Sequence, residues 1–502
     1  MLTLDPRAID LPTLRRLWAG EDARLDSAAM ERIASAAAAV DRIVAGGESV
    51  YGINTGFGLL ANTRIPDDRL ADLQTNLILS HSAGLGEPLP RHVTRLMIVL
   101  KLLGLGRGHS GVRTSVIDAL QGLLDRDAIP VIPSQGSVGA SGDLAPLAHL
   151  IAALMGHGSI DVAGTTMPAA AALQALGWEP LSLGPKEGLA LINGTQASTA
   201  IALDALFTGE RVFGAAIAAG ALSVDALKGS AKPFDARISD LRGQPGQVRV
   251  AGAIRALLDG SAIVGSHARC GRVQDPYSFR CQPQVMGAAL DLLANAARTL
   301  TIEAGAVTDN PILFPDEDDA ISGGNFHAQP VAFAADTITM ALCEVGSISE
   351  RRTAVLIDPK MSGLPPFLVT DPGVNSGLMI PQVTAAALVA ESRSLAFPAS
   401  VDSIPTSAGQ EDHVSMAPNA ARKATQVARN SAGIVAVELI AAAQAVDLHA
   451  PLTTSTALQS LHARVREISP AFETDRYWAG DMAALQAAVL DGALGTGQNF
   501  LD

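Results

Sequence analysis

The residues of this chain best suited to unusual chemistry are Ala140, Ser141 and Gly142, which follow one another in a glycine-rich stretch. Together with Gly136 and Gly139, Gly142 removes the Cβ clashes that stop a backbone from bending tightly back on itself. A tight bend can bring the Gly142 nitrogen onto the Ala140 carbonyl carbon. Attack there, followed by loss of two waters, one of them from the Ser141 side chain, would leave a five-membered ring with an exocyclic methylene. Such a methylene is an electrophile that accepts an amine.

The residues after this tripeptide predict the start of a helix. Asp143 is a residue type that caps helices, and Pro146 is tolerated in a first turn. The tripeptide is therefore expected at a positive helix end, where the dipole and unpaired N–H groups stabilise charge that an added amine pushes onto the ring. The apolar side chains that recur at helical spacing are Leu144, Leu147, Leu150, Ile151 and Leu154.

Two other functions of glycine-rich loops fit these residues poorly. A phosphate-binding loop requires Lys-Ser or Lys-Thr at a fixed spacing, and neither follows here. A serine-hydrolase elbow requires G-x-S-x-G, whereas the order around Ser141 is Gly-Ala-Ser-Gly-Asp. Taken alone, Ala-Ser-Gly is also compatible with an ordinary glycine-rich connection, so the rest of the chain has to decide.

The stretch Gly-Ser-Val-Gly-Ala-Ser-Gly-Asp-Leu-Ala-Pro-Leu-Ala resembles the signature of the family of histidine and aromatic amino-acid ammonia-lyases. In that family the tripeptide matures to 4-methylidene-imidazol-5-one, abbreviated MIO, and no external cofactor is used. Further segments resemble family motifs in family order and extend the resemblance over nearly the full length. They contribute Tyr51, His81, Asn193, Gln274, Tyr277, Arg280, Phe326, Met379 and Glu411.

The resemblance implies a role for each of these catalytic positions. Tyr51 would remove the β-hydrogen; since a phenol titrates near 10, neighbouring groups must push it toward phenolate. Arg280 would bind the substrate carboxylate through its planar guanidinium. Asn193 and Gln274 would orient that carboxylate or donate to the ring oxygen, where charge develops. The remaining two are Tyr277, near the ring and the amine, and Phe326, which would press the loop toward cyclisation.

Two of the matching segments favour L-histidine as the substrate. Ser80-His81 occupies the place of Phe-Leu in phenylalanine lyases and His-Leu in tyrosine lyases, and Glu411 replaces the glutamine of the phenylalanine-type enzymes. Glu411 and His81 can bond the two edges of an imidazole, whereas a phenyl ring would leave them unpaired at about 1–3 kcal/mol each. Met379 completes the substrate-binding set, and Gly409, an asparagine in the family, loosens the loop before Glu411. The expected reaction is L-histidine to trans-urocanate and ammonia, the first step of histidine degradation.

Several alternatives remain open at this point. Within the family, the chain could be a tyrosine or phenylalanine ammonia-lyase, or an aminomutase that returns ammonia to the β-carbon. The aspartase and fumarase type shares the helical bundle but works without MIO, and its glycine-rich signature is absent here. A non-catalytic scaffold that only oligomerises is the third alternative, and it predicts an unmodified Ala140-Ser141-Gly142.

Long helices must position these residues. Strand-like alternation is scarce, and an alanine-rich helical period is typical of much of the chain, so the fold class is expected to be mainly α. We expect a smaller, more irregular N-terminal part, residues 1–200, that carries the MIO loop and Tyr51. A central bundle of long helices would fill residues 201–502, with no clear linker between the parts. The segments with helical period are 93–105, 112–124, 284–300, 330–349 and 420–448.

Composition narrows the partners. A net charge of -14 disfavours nucleic acids and anionic membranes, which require a basic surface, and leaves a small molecule as the expected partner. The resemblance implies that this small molecule is L-histidine. Three unclustered cysteines and ten scattered histidines indicate neither a disulfide framework nor a metal site, and they fit a cytoplasmic location. No signal peptide and no apolar stretch of about 20 residues is expected. The resemblance implies a homotetramer whose active sites are shared between chains.

Overall fold

The computed structural model describes residues 1–46, 52, 55, 65–66, 69–266 and 273–502. Over these residues the protein is mainly α-helical, which confirms the predicted fold class. The helices are α1 (Leu11–Trp18), α2 (Ser27–Gly46), α3 (Leu70–His81), α4 (Arg91–Gly106), α5 (Thr114–Asp125), α6 (Leu144–Leu154), α7 (Ala169–Leu176), α8 (Glu187–Ile192), α9 (Gln196–Ala226), α10 (Ala236–Arg242), α11 (Pro245–Leu258), α12 (Ala262–Ser266), α13 (Tyr277–Arg280), α14 (Gln282–Ala304), α15 (Gln329–Ile357), α16 (Pro359–Ser362), α17 (Met379–Leu395), α18 (Ala417–Asp447), α19 (Thr456–Ile468) and α20 (Ala479–Leu490).

The chain forms two compact units, each assembled from three separate segments. The first unit contains Met1–Asp204, Ala297–Ala335 and Pro398–Arg422. The second contains Ala205–Ala296, Asp336–Phe397 and Lys423–Asp502. Two short segments that lie late in the sequence therefore belong to the same unit as the N-terminal half.

The first unit carries all of the β-strands in the described part of the chain. They form four small sheets: a parallel pair β1–β2, antiparallel pairs β3–β5 and β8–β9, and an antiparallel three-stranded sheet in the order β4-β6-β7. The strands are β1 (Leu2–Leu4), β2 (Ala23–Leu25), β3 (Leu85–Pro88), β4 (Ala128–Pro130), β5 (Pro133–Gln135), β6 (Ser159–Val162), β7 (Thr165–Pro168), β8 (Ile312–Phe314) and β9 (Asp319–Ile321).

Helix α18 contributes to the buried core of the second unit. Ile434 and Val437 of α18 pack with Ala385 and Val389 of α17 into one buried apolar cluster. The sequence of α18 is apolar on most sides, which predicts neighbours on several sides. Burial agrees with this expectation, since the side chains from Ile434 to Ala445 that are apolar have no exposed surface.

Two helices correct one sequence expectation. By length and composition, α9 and α15 are apolar enough to span a bilayer, whereas we expected no stretch of that length. Their most apolar windows are 89% and 67% buried within the protein. Burial of that extent is typical of core helices, whose apolar side chains are covered by neighbouring helices rather than by lipid.

Candidate active site

The tripeptide Ala140-Ser141-Gly142 lies in the loop between β5 and α6. Gly139 and Gly142 have φ of +64° and +75°, a left-handed conformation that glycine adopts without a Cβ clash. A Cβ on Gly142 would lie 2.2 Å from the carbonyl oxygen of Gly194. The loop therefore requires glycine here for two reasons, the backbone conformation and the close approach of a second segment.

Asp143 fastens this loop to the start of α9. Its backbone N–H donates to the Gly194 carbonyl at 2.7 Å, and its carboxylate accepts from the Ser198 N–H at 2.6 Å and hydroxyl at 2.8 Å. Ser137 donates to the other carboxylate oxygen at 3.0 Å. Complete burial raises the pKa of Asp143, and the Ser198 and Ser137 donors act against that rise. The sequence predicted a helix cap; Asp143 is at the N-cap position of α6, but its side chain makes no capping bond there.

Asn193 contacts the tripeptide directly. It is the residue after α8, it is almost fully buried, and its Nδ2 donates to the Ser141 carbonyl oxygen at 2.6 Å. If the Gly142 nitrogen attacks the Ala140 carbonyl carbon, the Ala140 oxygen leaves as water. The Ser141 carbonyl is retained and supplies the oxygen attached to the ring. Asn193 is thus placed to stabilise charge at that atom. Its Oδ1 is buried and has no hydrogen-bond partner within the described residues.

Glu411 is on the other side of the tripeptide. The Ser141 hydroxyl donates to Glu411 Oε1 at 2.5 Å, while Thr406 and Ser407 donate to Oε2 at 2.6 and 2.8 Å. Half-burial alone would raise the pKa of Glu411, but the hydrogen bonds from these three hydroxyls lower it. Glu411 is therefore held as a carboxylate that accepts hydrogen bonds beside Ser141.

His81 ends helix α3 with one ring nitrogen already committed. Its Nδ1 lies 2.8 Å from the Leu77 carbonyl, which is an acceptor only, and 3.0 Å from the Ser80 hydroxyl. We assign the proton to Nδ1 on that basis, which makes Nε2 an acceptor in the neutral ring. A histidine in this state can accept an N–H from a second imidazole.

The segment after Phe326 supports the outer side of the loop. Phe326 is half-buried, and two residues later the Ala328 N–H donates to the Gly139 carbonyl at 3.4 Å. The Ser415 hydroxyl donates to the same carbonyl at 2.9 Å. Ser415 was not identified from the sequence, because nothing in its local pattern indicates a partner about 280 positions away.

Lys101 is a second residue that the sequence did not single out. It is 1% exposed, and its Nζ donates to the carbonyls of Ala190 and Asn193 at 2.9 and 2.8 Å and to Gln196 Oε1 at 3.3 Å. Burial lowers its pKa to about 7, although the Asp309 carboxylate acts in the opposite direction. The sequence does contain an indication of its role: Lys101 is a charged residue in the middle of the apolar helix α4, and a charge at such a position requires buried partners.

Four predicted site residues belong to the second unit. The Arg280 guanidinium lies 4.6 Å from the centre of the Tyr277 ring, a cation–π distance, and donates to Gln274 Oε1 at 3.0 Å. Tyr277 is 72% exposed, so its hydroxyl can reach a ligand or another chain. Met379 begins α17 and is half-buried.

The second unit also contains an open cleft of about 410 Å³, which Tyr277 helps to line. The other lining residues are Ser278, Arg351, Ala354, Val355, Asp358 and Met361.

Residues 9–467 match the family model of the aromatic amino acid lyases. The chain belongs to the aromatic amino acid lyase family. This result confirms the resemblance found in the sequence. The first unit of this lyase brings together the tripeptide, Asn193 and Glu411, and it also contains His81 and Phe326. Tyr51 lies outside the described residues, and the role of every site residue stays a prediction.

Known relatives of this aromatic amino acid lyase agree with the assignment. A histidine ammonia-lyase of Burkholderia mallei (strain NCTC 10229) is 57% identical over 498 residues, which cover 99% of this chain and 98% of the relative. The crystal structure of histidine ammonia-lyase from Trypanosoma cruzi is 40% identical, with a TM-score of 0.91 over 98% of this chain and 94% of that one. Tyrosine aminomutase from Streptomyces globisporus is 34% identical, with a TM-score of 0.94 over 98% and 97% of the two chains.

Proposed function

We propose that this lyase eliminates ammonia from L-histidine to give trans-urocanate. The observation that carries the substrate is the placement of two acceptors in the first unit: the Glu411 carboxylate beside the Ser141 hydroxyl, and the His81 ring, whose Nδ1 is bonded to the Leu77 carbonyl and which is close enough to Glu411 to interact with it electrostatically. The imidazole ring of histidine offers an N–H to one of these two acceptors, and its imidazolium form offers an N–H to both. A phenyl or phenol ring would leave at least one of these polar groups without a partner. The histidine ammonia-lyase relatives support the same substrate.

We propose further that Ala140, Ser141 and Gly142 mature to MIO. The residues present fit that group: Gly142 has the left-handed backbone that a tight bend requires, and Asn193 Nδ2 donates to the oxygen that the ring would keep. MIO supplies an electrophile for the substrate amine, which acid–base help alone cannot replace. General acid–base catalysis contributes about 10²–10⁴ in rate, against roughly 10⁶ or more in most enzymes.

The side chains of the protein then bind and orient the amino acid. Arg280 would bind the carboxylate as a planar pair, with Gln274 fixing the guanidinium through their 3.0 Å bond. Tyr51 would remove the β-hydrogen as phenolate.

We also propose a cytoplasmic homotetramer with shared active sites. Large apolar side chains are exposed on α15 and α17 and just after α17, and burial between copies would remove them from water. Light scattering coupled to size exclusion checks the assembly. The exposed apolar residues on these elements are Phe333, Met340, Ile380, Val383 and Phe397.

The decisive experiment measures ammonia release and ultraviolet absorbance with L-histidine, L-tyrosine and L-phenylalanine, and the intact mass of each protein. We expect urocanate from histidine, and a chain lighter by two waters. Ser141→Ala should lose both, whereas Ser134→Ala, a serine on neighbouring β5, should keep both. Product from an aromatic substrate in place of histidine would overturn the substrate proposal, and turnover by Ser141→Ala would overturn MIO. An aminomutase would reveal itself by a β-amino acid product.

A further inference from the structure

We propose that Lys101 is a positioning residue for the ring oxygen. Its amine binds the turn between α8 and α9 that carries Asn193, and this bond keeps the Asn193 amide in hydrogen-bond contact with the Ser141 carbonyl. This inference rests on the proposed function, because the Ser141 carbonyl becomes a ring oxygen only if the tripeptide cyclises. It adds to the lyase site a residue that touches neither the tripeptide nor a substrate.

The geometry around Lys101 leaves its amine no freedom. Nζ donates to the Ala190 carbonyl at 2.9 Å, the Asn193 carbonyl at 2.8 Å and Gln196 Oε1 at 3.3 Å. Three acceptors match the three hydrogens of an ammonium. The two carbonyls belong to the last turn of α8 and to the residue that follows it, while Gln196 begins α9. A single side chain on α4 thus ties together the end of one helix and the start of the next.

The turn between α8 and α9 transmits this constraint to the tripeptide. Asn193 donates to the Ser141 carbonyl through its side chain while its own carbonyl accepts from Lys101. The next carbonyl, that of Gly194, accepts from the Asp143 N–H at 2.7 Å. The turn is therefore clamped between Lys101 and the loop, and an Asn193 amide held at both ends has little freedom to leave Ser141.

The charge of Lys101 also has the sign that the reaction requires. The C-terminal end of α8 carries partial negative charge from carbonyls without helical partners, and this end adjoins the Ser141 oxygen through Asn193. In its protonated form, which the three surrounding acceptors favour, Lys101 neutralises that end. Negative charge that develops at the ring oxygen then meets the Asn193 donor without opposition from the helix.

A direct chemical role for Lys101 does not fit the structure. Buried lysines with a lowered pKa often act as nucleophiles or bases. Lys101 is 1% exposed, however, and all three of its hydrogens face protein oxygens. Its amine has no access to a bound amino acid, which leaves positioning as its function.

Lys186 offers a matched control, because it is a second buried lysine of the same unit. Its Nζ donates to the Ser110 carbonyl at 2.8 Å and to Asp309 at 3.2 Å, and it contacts neither Asn193 nor the tripeptide loop by a hydrogen bond. We would compare Lys101→Met with Lys186→Met in the full-length protein. The first readout is amide hydrogen exchange in peptides covering residues 139–145 and 190–196. The second is kcat and KM for L-histidine, normalised to the fraction of chains that have lost two waters.

In Lys101→Met we expect exchange in both peptides to accelerate about tenfold or more, since buried carbonyls lose their donor. Normalised kcat should fall about 10- to 100-fold, less than the 10²–10³ that outright loss of an oxyanion donor costs, with KM changed less than about threefold. Lys186→Met strands the buried Asp309 carboxylate and should lower the free energy of unfolding. In the folded protein, however, exchange in the two peptides and normalised kcat should stay within about threefold of wild type. Lys101→Arg, which keeps the charge and N–H donors, should recover part of both losses.

Three outcomes overturn the inference: unchanged exchange in Lys101→Met, faster exchange with unchanged normalised kcat, or equal losses in Lys186→Met. If Lys101→Met does not fold, Lys101→Gln tests the same point, because its shorter amide cannot span the three acceptors yet remains polar. Failure of the proposed function is distinguishable, since it appears in the wild-type protein as a full mass or absent urocanate. The exchange measurement stands in either case because it requires no ring.

Discussion

Two sets of buried charges, one in each unit of this lyase, are used differently. In the first unit, Lys101 bonds to two backbone carbonyls, and Asp143 accepts from a backbone N–H of Ser198. In the second unit, Arg352 and Glu438 have no exposed surface and bond to each other at 2.5 and 2.8 Å. Ser223 donates to the same Glu438 carboxylate at 2.7 Å.

The difference separates charges that shape a site from charges that join helices. Irregular backbone leaves carbonyls and N–H groups unpaired, and a buried side chain that satisfies them fixes the loop in one conformation. The Arg352–Glu438 pair instead connects α15 and α18, whose backbone groups are already satisfied within each helix. Loss of Lys101 or Asp143, which bind the backbone around the tripeptide, should therefore affect turnover, and loss of Arg352 or Glu438 should affect stability.

Arg352→Met is the strongest test of this comparison. It leaves Glu438 as an unpaired buried carboxylate, so the free energy of unfolding should fall by about 3–5 kcal/mol. The kcat of the folded protein should remain near wild type, because neither residue belongs to the site. Denaturant unfolding and histidine turnover at a temperature where the variant is folded measure the two effects.

The double variant Arg352→Met/Glu438→Leu supplies the control. An apolar pair of similar volume removes the stranded carboxylate, so most of the lost stability should return. If the double variant is as unstable as the single one, packing around Arg352 and not its charge dominates. A large fall in kcat for the single variant would contradict the division between the units.

Asn193→Ala should produce the complementary result. It removes the donor to the Ser141 oxygen, and loss of one donor of this kind costs about 10²–10³ in kcat, or roughly 3–4 kcal/mol. The protein should stay folded, since the backbone bonds of Asp143 and Lys101 to the turn do not use the Asn193 side chain. Turnover is measured per chain that has lost two waters. A kcat within tenfold of wild type would remove Asn193 as the donor.

Glu411→Gln tests substrate choice with a smaller expected effect. The amide keeps the size of the side chain but loses the charge, so it binds an imidazole N–H less well. The specificity for L-histidine over L-phenylalanine should fall by about 1–3 kcal/mol, or roughly 5- to 150-fold. Both kcat/KM values are measured after intact mass has shown equal maturation. Unchanged specificity would mean that another residue selects the ring.

Several long helices could be predicted from the sequence, but the small sheets could not. The helical period over 93–105 and 420–448 was sufficient to find α4 and α18 to within a few residues. The strands are only three or four residues long, too short for an alternation to show. The expectation that no apolar stretch reaches about 20 residues was wrong for α9 and α15. Both helices are long and apolar enough to span a bilayer, and only their burial in the structure is typical of core helices.

The site divides in the same way. Contiguous motifs exposed the tripeptide, and the resemblance supplied Asn193 and Glu411. Lys101 and Ser415 escaped because they bind backbone carbonyls of distant segments, and a carbonyl oxygen is present at every position whatever the sequence. For Lys101 the sequence does contain an indication, because a lysine within an apolar helix needs polar partners in the core.

His149 sharpens the comparison through pH, with the smallest expected effect. It lies on α6 in the first unit, and its Nε2 accepts from the Gly84 N–H at 3.0 Å, three residues after His81. Burial lowers its pKa below the usual value of about 6.5. The unfolded chain therefore takes up this proton first as the pH falls, so the stability that neutral His149 contributes is present above pH 6.5 and is lost as pH falls through the lower folded value. His149→Gln keeps an acceptor that does not titrate, and its thermal midpoint should change less between pH 7.5 and 5 than that of wild type.

His449 of the second unit supplies a control. Its pKa is lowered by burial too, but its Nε2 lies 2.7 Å from the Ala226 carbonyl and so donates. His449→Gln should alter stability without altering turnover, whereas His149→Gln should also change the acid side of the kcat/KM profile, because Gly84 continues the segment that holds His81. Parallel stability curves for wild type and His149→Gln would show that this histidine does not link pH to stability, and an unchanged acid side of the kcat/KM profile would show that it does not link pH to the site.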